Sequence, residues 1–208
     1  MKHSRRLRAA LILAVLTGIS LPLSASADVV VRKSISYFQI GGRTAAELDA
    51  ELSRKGPFTQ ASGSRHPGAT QIRFGGDLTY ALRGNRCAVE DVRVTVDTKL
   101  IIPRWKNRNR ASREMATLWD ALSSDIKRHE ERHAEIARQH AKLLEQRLLK
   151  LRPTRDCETL QDRASEVTDE VTVAHDEAQM RFDMIEAKNF QDRMLRILRH
   201  RREIQENQ

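Results

Sequence analysis

Cysteine is scarce: Cys87 and Cys157 are the two such residues in a chain of 208. They allow one disulfide at most, and without paired CxxC spacing they do not read as zinc ligands. Aromatic residues make up 4% of the chain. That leaves few rings to stack on bases and argues against nucleic acid as a partner. No long apolar run is present beyond Ala9 to Leu23, which is interrupted by Gly18 and Pro22. At about 15 residues it is too short to span a bilayer. No cysteine follows it to carry a lipid, and there is no internal repeat or low-complexity segment.

That first segment has another reading. Lys2, Arg5, Arg6 and Arg8 precede the apolar run, and Ala25-Ser26-Ala27 follows it with small-x-small spacing. Residues 1–27 are therefore expected to be a signal peptide, with a mature, periplasmic or secreted chain starting at Asp28. Its four basic residues account for part of the formal +9, leaving 33 − 28 = +5 on residues 28–208. Arg193, Arg196, Arg199, Arg201 and Arg202 concentrate charge in the tail. This reads as a solvated face, with weak contact to an anionic surface as the sharper alternative. In an oxidising compartment Cys87 and Cys157 are expected to pair, closing a loop worth roughly 4 kcal/mol on chain-entropy grounds. Residues 28–208 are long enough for one domain with a real core.

The pattern predicts an α+β fold of zincin-like type: a small N-terminal antiparallel sheet with one short helix, then a long antiparallel helix pair. Val29 to Tyr37 reads as a strand ending at Gly41-Gly42. Thr44 and Glu47 form a capping box opening a helix that stops at Gly56-Pro57. Thr70 to Leu82, broken by Gly75-Gly76, reads as one strand or a hairpin. Val89 to Ile102 alternates most clearly, and Pro103 is expected to end it. Residues 28–105 are thus mainly strands and 112–203 mainly helices. From the N-cap Ser112, Met115, Leu118, Trp119, Leu122 and Ile126 follow helical spacing, and the stripe continues through His129, His133, Ile136, His140, Leu144 and Leu148. Pro153 closes that helix, and a second runs from about Cys157 towards Arg201.

On this stripe lies His129-Glu130-Glu131-Arg132-His133, an HExxH. Positions i and i+4 stack on one helical face, so both imidazoles can converge on one ion. Glu130 is off axis for ligation but placed to hydrogen-bond a water there, the general-base position. A third protein ligand is needed. Ile136 and Gln139 exclude the extended HExxHxxGxxH signature, and His140 lies too far along the helix. In the second helix His175, Gln179, Asp183 and Glu186 form a polar stripe. A straight hairpin turning near residue 154 sets His175 against His133 and Gln179 against His129. His175 and Glu186 are the leading candidates and remain unresolved, with Asp183 next.

Tyr37, Gly41, Thr44, Glu47-Leu48, Gly56-Pro57, Cys87, Pro103-Arg104-Trp105, Trp119, HEERHAEIA at 129–137, Cys157 and Phe182-Asp183 together resemble an uncharacterised bacterial family of predicted secreted zinc-dependent proteases. The resemblance implies an α+β metalloprotease-like fold, zinc at His129 and His133, Glu130 as base, and supports the disulfide. Members of that group commonly carry YDxxTxHG in the last helix, its histidine an attractive third ligand. Here the stretch is Phe182-Asp183-Met184-Ile185-Glu186-Ala187-Lys188-Asn189. The aspartate is kept and the tyrosine, histidine and glycine are replaced.

The leading expectation is an exported zinc (Zn2+) metallopeptidase acting on peptide or protein, with substrate aligned along the Val89–Ile102 strand as an edge. The rival is a non-catalytic periplasmic binding or scaffold protein that keeps the fold.

Overall fold

The structure is a computed structural model describing residues 29–60 and 62–206. The expected signal peptide, residues 1–27, lies outside the described residues.

Three strands form the main sheet: β1 (Val30–Ile40), β4 (Ala69–Arg83) and β5 (Arg86–Trp105), in the order β1-β5-β4. Between β1 and β4 come α1 (Ala45–Lys55) and a small ribbon of β2 (Phe58–Thr59) with β3 (Ser64–Arg65). Two long helices follow, α2 (Arg113–Leu149) and α3 (Cys157–Glu206). The expected α+β layout holds, with corrections to the sheet.

The sheet is mixed, not antiparallel. β4 and β5 form an antiparallel hairpin, whereas β1 runs parallel to β5. Side-chain alternation reports which face of a strand is buried and carries no information on its neighbour's direction. β5 is also the central strand, so the Val89–Ile102 stretch expected as an open edge is paired on both sides; the edges are β1 and β4.

Gly75-Gly76 does not turn the chain. A Cβ on Gly76 would lie 2.0 Å from the carbonyl oxygen of Arg93, so glycine there permits close strand approach. The turn is at Gly84-Asn85, where Gly84 takes φ 62°, the first-position glycine of a tight hairpin. β5 runs through Pro103 to Trp105, because β4 pairs only as far as Ile101 and the proline has a strand on one side alone.

Alternate residues of β5, Val92, Val94, Val96, Leu100 and Ile102, are buried beneath the helices. Ala137 and Ala141 of α2 are fully buried, and their small side chains let that helix lie close to the sheet. A second cluster joins Ile40, Leu48, Leu52, Trp105 and Trp119. The capping box of α1 forms as expected, with the Glu47 amide donating to Thr44 Oγ1 at 3.2 Å and the Thr44 amide to Glu47 Oε2 at 3.3 Å. Ser112 caps α2.

Cys87 and Cys157 form a disulfide, which fastens the start of α3 to the start of β5. Backbone bonds between Cys87 and Thr154, 2.9 Å in both directions, reinforce that anchor. Among the described residues no helix is long and apolar enough to cross a membrane.

Candidate metal centre

One helical turn apart on α2, His129 and His133 present their Nε2 atoms 3.0 Å from each other. α3 brings Asp183 to the same point, its Oδ1 3.2 Å from His129 Nε2 and 3.0 Å from His133 Nε2. The three atoms form a nearly equilateral triangle and a group able to hold a metal ion. Tetrahedral zinc, with bonds of about 2.0–2.1 Å, sets its donors roughly 3.3 Å apart. Separating these three by a few tenths of an ångström would seat the ion. Two imidazoles and a carboxylate suit zinc and other first-row divalent ions.

The electrostatics favour a cation. Burial opposes charge on His133, but Asp183 and Gln179 outweigh it and raise the imidazole pKa. Burial likewise opposes the charged Asp183, and the hydrogen bonds and charges of the two histidines carry its pKa far below the usual carboxylate range. A metal ion placed here replaces protons that the site already attracts.

Glu130 lies against the start of β4 and is 4% exposed. Thr70 Oγ1 lies 2.8 Å from Glu130 Oε2 and 2.9 Å from the Glu130 backbone oxygen. Gly68 lies against the same side chain: a Cβ there would come within 2.8 Å of Glu130 Oε1 and of Ile126 Cγ2. Burial raises the carboxyl pKa, against the opposing effect of the Thr70 hydroxyl and the nearby histidines.

Neither leading candidate for third ligand reaches the pair in that role. His175 is 6% exposed, packed edge-on to Phe74, with Nε2 bonded to Gln179 (2.8 Å) and Nδ1 to Asp176 (2.9 Å). Glu186 binds Arg128 and, at 3.2 Å, Arg193; its Oε2 sits 3.8 Å from His129 Nδ1, on the ring edge away from the triangle. Asp183 takes the place because the helix pair is displaced by about one to two turns: His133 faces Gln179 and Asp183, not His175. The start of α3 is anchored on β5 rather than on the end of α2. The turn does not close directly on the end of α2, so a straight-hairpin register misplaces every facing pair. His140 donates to the Ile136 carbonyl at 2.8 Å and stays outside the triangle.

Sequence reasoning missed Thr70, Gly68 and the ion network beside the site. Asp125, 4% exposed, accepts two bonds from Arg193 (2.8 and 3.1 Å) and one from Arg128 (3.1 Å), tying α2 to α3. Phe182 stacks within 4.9 Å of the His129 ring and 5.1 Å of the His133 ring, giving the imidazoles an apolar wall.

Residues 35–190 match the family described as bacterial protein of unknown function (DUF922). The chain belongs to this family. The match includes the three clustered residues, Glu130 and both cysteines. It corrects the resemblance drawn from the sequence: the DUF922 family is not an established family of zinc proteases, and membership brings no activity with it. No curated protein and no solved structure matches the chain.

Proposed function

We propose that this protein is an exported zinc metallopeptidase. The observation that supports this reading best is the donor triangle of His129, His133 and Asp183 on the helix that also carries the buried Glu130. A bound zinc ion would supply a Lewis acid that polarises a carbonyl and acidifies a water molecule.

The chain's own groups do the rest. Glu130 accepts the proton of the attacking water and returns it to the departing amine. Its burial moves its pKa towards the range in which one carboxyl can do both near neutrality. Thr70 holds one carboxylate oxygen and so fixes the direction of the other. The first residues of β4 run beside Glu130, and β4 has a partner on one side only among the described residues. This edge, not β5, is the one along which an extended peptide substrate would pair. The disulfide agrees with an oxidising compartment.

A second reading, metal binding without turnover in a periplasmic binding or scaffold protein, draws on Phe182. The ring covering the two imidazoles has no hydroxyl to offer a developing oxyanion. A peptide-library assay of the zinc-loaded protein beside Glu130→Gln separates the two. Cleavage by the wild type, lost in a variant that still binds zinc, supports the peptidase. Stoichiometric zinc with no cleavage of any peptide favours the second reading.

A further inference from the structure

The hydrogen-bond chain running inward from His133 has its donors and acceptors fixed by one atom that can only accept. Gln179 Nε2 lies 3.1 Å from the backbone carbonyl oxygen of His133, so that end of the amide must be the NH2. The other end, Oε1, is then an acceptor, and at 2.5 Å it takes the proton on His133 Nδ1. The second hydrogen of the same NH2 points to His175 Nε2 at 2.8 Å, which must be a bare, accepting nitrogen. The ring proton of neutral His175 therefore sits on Nδ1, where Asp176 Oδ1 accepts it at 2.9 Å. The Gln179 amide and three ring nitrogens are left with one consistent arrangement, and in neutral His133 it leaves the Nε2 lone pair for the triangle.

We propose that Gln179 is a positioning residue that sets the tautomer and ring orientation of His133 for metal, and that His175 with Asp176 locks the Gln179 amide against flipping. The proposal rests on the reading of the triangle as a metal site. Its physical need is plain: a flipped amide would set an NH2 against the Nδ1–H of His133 and leave the His133 carbonyl facing an oxygen. His175 is well built for the task. It is held edge-on by Phe74 at 5.0 Å and by His140 at 5.5 Å, so its ring cannot swing away. This assigns the buried histidine a role as orienter, one step removed from the ion.

The test measures zinc affinity by chelator competition, with circular dichroism and metal-free melting as fold controls. Gln179→Leu should bind zinc about 10–100-fold more weakly, the usual cost of losing an outer hydrogen-bond partner of a metal-ligating histidine. Gln179→Glu keeps an acceptor for His133 Nδ1 whichever way it turns but loses the donor to the His133 carbonyl, so it should bind zinc more weakly than wild type and more tightly than Gln179→Leu. His175→Phe should weaken binding in the wild-type background and have no effect in the Gln179→Glu background, since no amide is then left to lock. Long-range proton–nitrogen NMR of histidine should show His133 protonated at Nδ1 in the zinc-bound wild type. Equal affinity in wild type and Gln179→Leu overturns the role of Gln179, and an undiminished effect of His175→Phe in the Gln179→Glu protein overturns the lock. If His133→Ala binds zinc as wild type does, the metal site itself is wrong and the relay falls with it.

Discussion

The hydroxyl of Thr70 reaches both the carboxylate and the backbone oxygen of Glu130, at 2.8 and 2.9 Å. A single side chain at the start of β4 thus holds the proposed base to the sheet. The bond stabilises the carboxylate form, so its loss raises the Glu130 pKa further. Thr70→Val should shift the acidic limb of the pH dependence of kcat/KM to higher pH, because a larger share of Glu130 is protonated at any given pH. The profile measured on a cleaved peptide checks this. An unmoved or lowered limb would show that Glu130 does not control it.

Gly68 is confined by the same carboxylate. Gly68→Ala would place a methyl group 2.8 Å from Glu130 Oε1 and Ile126 Cγ2. Overpacking of this kind costs about 1–3 kcal/mol, and here it also displaces the base. Urea denaturation should report the loss of stability, and kcat should fall more than KM rises. A neutral substitution would mean that β4 and α2 separate more easily than their packing suggests.

Asp125 and Arg193 make a two-bond polar tie between the long helices. Burial alone would raise the pKa of Asp125, but its bonds to Arg193 and Arg128 lower it below the ordinary value. A carboxyl with a depressed folded-state pKa stabilises fully above its unfolded value, about 3.9, and the contribution disappears as pH falls through the folded value. Asp125→Ala should cost about 1–3 kcal/mol near neutrality, because Arg193 loses two charged hydrogen bonds and keeps its contact with Glu186. The variant should also lose less stability on acidification than wild type does. Metal-free melting curves across pH 7 to pH 3 measure both. A cost below about 1 kcal/mol would place this pair with ordinary surface salt bridges.

Much of the architecture was legible in local pattern. Caps at Thr44 and Ser112, the alternation of Val92, Val94 and Val96, and the apolar stripe of α2 each follow from side chains within a few residues of one another. What stayed hidden was relational. The parallel pairing of β1 with β5 and the central place of β5 depend on partners distant in sequence. Gly75-Gly76 signalled a break, but its small volume serves strand contact instead. At the site, the i, i+4 spacing of His129 and His133 was readable, whereas the choice of Asp183 over His175 turned on a shift of about two helical turns. The Cys87–Cys157 link and the Thr154 bridge, both made to a strand distant in sequence, fix the start of α3 to the sheet. Gln179 lay in the recognised polar stripe, yet its role rests on the backbone carbonyl of His133, an atom no sequence pattern displays.

His129, His133 and Asp183 together should hold one metal ion. Metal content of the purified chain, after dialysis against zinc and then metal-free buffer, tests it most directly. Wild type should retain about one zinc per chain. His133→Ala and Asp183→Ala should retain almost none, while Glu186→Ala and His175→Phe should keep the ion with weaker affinity. A wild-type chain without metal, or an Asp183→Ala chain that holds zinc as fully as wild type, would contradict the account.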